Sequence, residues 1–242
     1  VLAGHQALES DHRYKIKTGQ NITHEQLLDT FSDAYDAFTY ELEPSDLGPD
    51  EDIGKNKDMT AATLTYYSAK VGPKIQPRLV EWEFNLDIPP TEDYPEPIRI
   101  VNGRIDLLDA TGIYDNKFPK NSRGVKNQQS VDLSWQLTLY DLVFASQLGL
   151  DVPSLGLIQF VPPDTKNGAV VKTVRRSDEE MEPAQRERRR ARLLHVIRET
   201  ERSIAAGIYM PADDPVTCSY CPYRTQCQYS LAKDDFAAMS VR

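Results

Sequence analysis

Residues 98–118 read Ile98-Arg-Ile-Val-Asn-Gly103-Arg-Ile-Asp106-Leu-Leu-Asp109-Ala-Thr-Gly112-Ile-Tyr-Asp115-Asn-Lys117-Phe118. Two runs rich in Ile, Val, Leu and Tyr flank Asp109-Ala-Thr-Gly112, whose composition is that of a tight turn, so the stretch predicts an antiparallel hairpin of strands Ile98–Leu108 and Gly112–Phe118. Side chains on a strand repeat every two residues, which puts Lys117 on the same face as Asp115. The neighbouring strand can bring Asp106 beside Asp115. Two close carboxylates repel unless a cation sits between them, and a hard divalent ion with oxygen ligands is the usual solution. Such an ion lowers the pKa of a bound water, while a lysine orients that water or stabilises developing phosphorane charge. That is the equipment of phosphodiester hydrolysis.

Outward from the hairpin, Leu79–Ile88 predicts a third strand. Val1–Gln20 and Ile22–Tyr40 predict helices, the second with Leu27, Leu28, Phe31, Ala34, Tyr35 and Phe38 near a 3.6-residue period. Thr23 and Gln26 have the spacing of a capping box. Glu43–Asp58, rich in Asp, Gly and Pro, predicts a solvated loop, and Met59–Val71 a helix ended by Gly72-Pro73. Val131–Leu148 is apolar nearly all round, which predicts a largely buried helix stopped by Gly149. Leu155–Val161 and Ala169–Val174 predict two more strands. Ser177 or Asp178 then opens a long basic helix to about Ala206. The expected fold is α/β, a central mixed sheet flanked by helices in one domain over residues 1–242. Its parts are a helical stretch 1–75, a sheet core 76–176 and a basic helix with a cysteine tail over 177–242.

Hydrophobic residues make up 40% of the 242 and charged residues 27%, which excludes a rod, a collagen-like chain and wholesale disorder. No apolar stretch is long enough for a bilayer, and no secretory leader pattern opens the chain, so an intracellular, cytoplasmic protein is expected. The net charge of −9 argues against coating nucleic acid through the overall field. The charges are nevertheless polarised: acids crowd into Glu41–Asp58 and bases into Lys166–Arg202. In the basic helix, Arg186 with Arg190 and Arg188 with Arg192 are four apart and form adjacent stripes suited to phosphate contact.

A bare acid-x-Lys triplet carries little weight, since about two are expected by chance in this composition. Asp164-Thr165-Lys166 is the second and even follows Pro163, but it lies in a turn with no carboxylate on a preceding strand. Position on the hairpin selects Asp115-Asn116-Lys117. Gln136 and Tyr140, four apart, share one face of an otherwise apolar helix, and a buried amide and phenol need partners. All three cysteines fall within Cys218-x2-Cys221-x5-Cys227. Thiols so clustered point to a metal or a cluster, with three ligands where a closed tetrahedral site needs four. The fourth can come from a histidine, an upstream segment or another chain.

Gly103-x-x-Asp106, Asp115-x-Lys117, Gln136-x-x-x-Tyr140 and the cysteine string, in this order and spacing, resemble the PD-(D/E)XK nuclease superfamily. The similarity is to its RecB-like branch with an iron–sulfur cluster, which includes CRISPR-associated and phage exonucleases. It extends from about His5 to Cys227. The resemblance implies a restriction-endonuclease-like core and a metal-dependent DNA exonuclease of repair, recombination or phage DNA processing, bacterial or phage-encoded. Asp106 and Asp115 are implied metal ligands for Mg²⁺ or Mn²⁺, with the Asn116 carbonyl and His5 as further ligands. Lys117 is the implied catalytic lysine, and Gln136 and Tyr140 support the site and the strand. Cys218, Cys221 and Cys227 correspond to three of four ligands of a [4Fe-4S] cluster, the fourth lying upstream of this chain. Phe118 departs from the family, which commonly has a small hydroxyl residue after the lysine. The implied partners are DNA with a free end and a helicase or recombination protein. The alternative is a non-catalytic nucleic-acid-binding module with a zinc-stapled tail.

Overall fold

Thr23 starts a helix because its hydroxyl accepts from the Gln26 amide at 3.2 Å while the Gln26 side chain accepts from the Thr23 amide at 3.0 Å, a complete capping box. The computed structural model describes residues 2–40, 42, 52–92, 95, 97–149 and 151–208, with 217, 218, 221, 223, 226, 227 and 229, and for 98–100 the backbone alone. They fall into two units, Val1–Leu194 and His195–Arg242.

Three helices come first: α1 (Leu2–Thr18), α2 (His24–Thr39) and α3 (Ile53–Lys70). The third begins earlier than the apolar pattern suggests. Asp52 accepts from the Lys55 amide at 2.9 Å and so caps a helix whose first six residues were expected in a loop. The five strands β1 (Pro77–Ile88), β2 (Ile98–Asp109), β3 (Gly112–Lys117), β4 (Leu155–Val161) and β5 (Val170–Arg175) form one sheet in the order of the chain. All neighbours are antiparallel except β3 and β4. A parallel pair needs a crossover, and residues 118–154 supply it with α4 (Gln128–Asp132) and α5 (Trp135–Leu148).

Ala7, Leu8, Leu27, Phe31, Leu64 and Tyr67 of the first three helices pack on Val80, Leu107, Tyr114, Ile158 and Phe160 of one sheet face. Gly149 closes α5 in the left-handed region at φ 64°, as its lack of a Cβ allows. Two expected continuous helices are broken. Ser134 accepts from the Leu137 amide and starts α5 afresh, leaving Leu133 in the joint rather than in a buried helix. Pro183, with no amide hydrogen, begins α7 (Pro183–Ala205) after the single turn α6 (Asp178–Met181). The start of α7 is held to α5 by charge: Arg186 and Arg190 both donate to the buried Asp141, and Arg190 also reaches Asp151 at 2.8 Å. No helix among the described residues is long and apolar enough to cross a membrane.

A second polar knot ties α1 to the helices that follow. Asp11 accepts from the Ile22 amide at 3.0 Å, from Asn21 at 2.7 Å and from the Tyr67 hydroxyl at 3.0 Å. Because the Tyr67 hydrogen goes to Asp11, the 2.8 Å contact from His12 must be Nε2–H donating to the Tyr67 oxygen. His12 Nδ1 is then the bare nitrogen, buried without a hydrogen-bond partner, and burial holds the His12 pKa down at about 4. The unfolded chain, with an ordinary histidine, binds this proton first as pH falls. Stability from His12 is therefore complete above pH 6.5 and drains between pH 6.5 and 4, with a slope of at most about 1.4 kcal/mol per pH unit. Urea midpoints of wild type and His12→Gln, taken at intervals from pH 7 to 4.5, should show a shallower pH dependence in the variant. Parallel curves would remove His12 from the acid sensitivity.

Candidate active site

The β2–β3 ladder runs from Asp109↔Gly112 to Leu107↔Tyr114. One step further, Asp106 faces Asp115, and there a side chain replaces the backbone acceptor: the Asn116 amide donates to Asp106 Oδ2 at 2.7 Å. The strands part at this point, β2 continuing on β1 and β3 on β4 as far as Lys117↔Gln159. The opening is a cleft of ≈ 920 Å³ lined by His5, Glu81, Asp106, Asp115, Lys117 and Gln136 among others.

The remaining side chains enter from α5, from the end of β3 and from α1. Gln136 is the hub: its Nε2 donates to Asp115 Oδ1 at 2.7 Å and to the Tyr140 oxygen at 2.8 Å, and its Oε1 accepts from Lys117 Nζ at 3.0 Å. The Tyr140 hydroxyl is 3.0 Å from the Arg104 carbonyl and 3.3 Å from Asp115 Oδ1. The four-residue spacing on α5 thus serves both sides of the split. Lys117 Nζ lies 2.7 Å from Asp115 Oδ2, in charge contact though out of hydrogen-bond alignment. His5 comes from α1, with Nδ1 3.5 Å from Asp106 Oδ2. Phe118 explains its own departure from the family. Its ring stacks on Phe160 at 4.4 Å between centroids and presses on Gly4, where an added Cβ would meet Phe118 Cζ at 2.6 Å. The Phe118 ring centroid is 5.3 Å from that of His5, so the contact seats the first turn of α1 and with it the imidazole.

Glu81 belongs to the site and was not anticipated from the sequence. Val80↔Leu107 and Trp82↔Ile105 pair, which sets Glu81 opposite Asp106. Its φ of 49° is a left-handed value for a side chain that is not glycine, a strained conformation of the kind that gathers at functional sites. Arg104 Nε meets Glu81 Oε2 at 2.8 Å. The signal was present as an acid between Val80 and Trp82 on a strand, but only the register shows that it faces Asp106.

Electrostatically the carboxylates of the cleft are held toward their neutral forms despite Lys117 and Arg104. Burial raises the pKa of Asp106 and of Asp115, and for Asp115 the Asp106 charge adds to it. Burial, with Asp106 next, pushes Glu81 up to about 7. Burial lowers the pKa of His5, leaving a neutral imidazole with a lone pair to offer. Ligand atoms of His5, Glu81 and Asp106 lie within 4.8 Å of one another, close enough to share one ion. Asn116 is buried in the wall of the same cleft. One nitrogen among hard carboxylate oxygens suits Mn²⁺ or Mg²⁺, so the residues fit a divalent ion.

The other expected site residues lie elsewhere. Arg186 and Arg190 are neutralised by Asp141 and Asp151, whereas Arg188 and Arg192 are exposed. Cys218, Cys221 and Cys227 belong to the second unit and none is in a disulfide; they are buried, half-buried and exposed respectively. The Cys221 amide donates to the Cys218 carbonyl at 3.2 Å. Among the described residues the three sulfurs do not converge as the ligand atoms of His5, Glu81 and Asp106 do.

No curated protein matches the chain. The family model of the PD-(D/E)XK nuclease superfamily matches residues 3–228, a span that takes in the whole sheet, the cleft and the cysteines. The chain belongs to the PD-(D/E)XK nuclease superfamily, whose members are metal-dependent nucleases.

Proposed function

We propose that the protein is a metal-dependent DNA exonuclease acting on strands with a free end, in repair, recombination or phage DNA processing within the cytoplasm. The observation that carries this reading is the meeting of Asp106, Asp115 and Lys117 where two strands part, with Gln136 bonded to both members of the acid–lysine pair. The preference for DNA ends, and a helicase or recombination partner, rest on the resemblance of these motifs to the RecB-like branch.

Asp106, Asp115 and His5 would hold Mg²⁺ or Mn²⁺, with Glu81 and the Asn116 carbonyl as further ligands, and the bound ion supplies a water of lowered pKa and positive charge at the phosphate. Lys117 is fixed by Asp115 on one side and Gln136 on the other, so its ammonium stands ready to orient the attacking water and meet the charge that grows on the phosphate oxygens. The Gln136 amide fixes the Asp115 carboxylate and leaves Oδ2 for a cation. Burial keeps the Tyr140 phenol protonated, so it donates within this network and does not act as a base. In the second unit, Cys218, Cys221 and Cys227 are proposed to hold three corners of an iron–sulfur cluster with a structural role, a reading supported by their Cys-x2-Cys-x5-Cys spacing.

An assay on end-labelled linear and closed circular DNA with Mg²⁺ or Mn²⁺ tests the activity, with loss of linear DNA alone as the expected result. Asp115→Ala and Lys117→Ala should each lower turnover by roughly 10²–10⁴-fold while thermal melting stays cooperative. A folded variant with near-normal turnover would take its residue out of the mechanism. Glu81→Gln should weaken Mn²⁺ binding by roughly 10–100-fold, read by calorimetry without DNA. An unchanged isotherm would leave Glu81 as the partner of Arg104 alone. For the cysteines, iron and sulfide per chain after anaerobic purification should fall in Cys221→Ser. Stoichiometric zinc without sulfide in the parent protein would replace the cluster with a zinc staple.

A further inference from the structure

At the joint between α4 and α5 two large apolar side chains stand in solvent, Leu133 at 53% and Trp135 at 45% exposure. An indole has more apolar surface to lose to water than most side chains, so leaving it half in solvent forgoes a large part of its burial energy. Trp135 directly precedes Gln136, the hub of the catalytic cleft, and is the first residue of α5, whose N-terminal amides favour negative charge.

The basic helix supplies the second observation. Of its arginines at 186, 188, 189, 190 and 192, three are neutralised by carboxylates: Arg186 and Arg190 by Asp141, and Arg189 by Glu180. Arg188 and Arg192 are exposed, and among the described residues neither pairs with a carboxylate. They are four apart on one stripe of α7. The Arg192 guanidinium sits 5.6 Å from the centre of the Trp135 ring. An aromatic face beside one unneutralised guanidinium, with a second one turn away on the same helix, has the chemistry that binds an unpaired base through stacking and its phosphates through charge.

We propose that Trp135, with Arg192 beside it and Arg188 one turn away on α7, is a stacking platform for an unpaired nucleobase, and that the strand delivered to the Asp106–Asp115 centre is single-stranded DNA. The inference rests on the nuclease reading above and adds a strand preference to it. In a duplex both faces of an interior base are covered by its neighbours, so such a base has no free face for Trp135. In a single strand every base has one, which makes the contact tolerant of sequence. Arg188 and Arg192 add a salt-dependent hold on the backbone.

The chain has two tryptophans, Trp82 and Trp135, so Trp82→Phe leaves Trp135 as the sole reporter. With Ca²⁺ in place of Mg²⁺ or Mn²⁺, this protein is titrated with an oligothymidylate, an abasic strand of equal length and a blunt duplex. The thymidine strand should quench the indole saturably, and the abasic strand and duplex should not. In the unaltered background, anisotropy of labelled strands should show Trp135→Ala weakening thymidine binding on the order of tenfold, with Trp135→Phe recovering most of it and abasic binding unchanged. Arg192→Ala should weaken both strands and lower the salt slope by about 0.7. Equal quenching by the abasic strand, or thymidine binding by Trp135→Ala at the wild-type level, overturns the platform. Neither measurement needs hydrolysis: if no strand is cut with Mg²⁺ or Mn²⁺, the nuclease reading fails separately.

Discussion

One hydrogen bond decides where this molecule can do chemistry: the donation from the Asn116 amide to Asp106 Oδ2. A central sheet normally satisfies each backbone amide with a neighbouring carbonyl, and opening a ladder within it would strand donors away from water. Here a carboxylate takes the place of the carbonyl, so β2 and β3 can separate without leaving that amide unpaired. The separation makes the cleft, and the group that permits it is itself one of the proposed metal ligands. Removing Asp106 therefore touches two functions at once, the ligand set and the strand split. An amide in its place keeps an oxygen for the Asn116 N–H and separates the two.

Around that opening the protein concentrates carboxylates that it does not neutralise. Asp106, Asp115 and Glu81 are all shifted toward the protonated form by burial, and the cations at hand, Lys117 and Arg104, each stand to one side of the group. Elsewhere a buried acid of the same chain, Asp141, is paired with two arginines, Arg186 and Arg190. The contrast separates a structural carboxylate from a functional one. Both are largely buried, but the cleft set is short of positive charge, and a divalent ion is the group of the right charge and hardness to complete it.

Local chemistry was legible in the sequence, and register was not. The Thr23 capping box, the Asp109–Gly112 turn, the Gly149 stop and the shared face of Gln136 and Tyr140 follow from residues no more than four apart, and all are seen in the structure. Glu81 depends on which residue of β1 lies opposite Asp106, a fact held by the pairing of two strands that no local pattern encodes. The start of α3 was misplaced because a capping aspartate outweighs an apolar count, and the breaks at Ser134 and Pro183 were missed because a hydrophobic or basic period can continue across a joint. Arg186 and Arg190 share the periodicity of Arg188 and Arg192. What divides their fates is Asp141, which lies some 45 residues earlier and meets them only in the folded chain.

The lone parallel pairing in the sheet has a consequence for how activity arises during folding. β1, β2 and β3 are joined antiparallel along the chain, so the two aspartates can meet early through nearby residues. β4 can join only after residues 118–154 have crossed over, and that same excursion delivers Gln136 and Tyr140, while His5 closes on Asp106 across about a hundred residues. Distant contacts of this kind carry the largest loop-closure cost. A partly folded chain thus has the acids without the groups that aim them. Competence to cut is a property of the completed topology rather than of the hairpin that carries the acids.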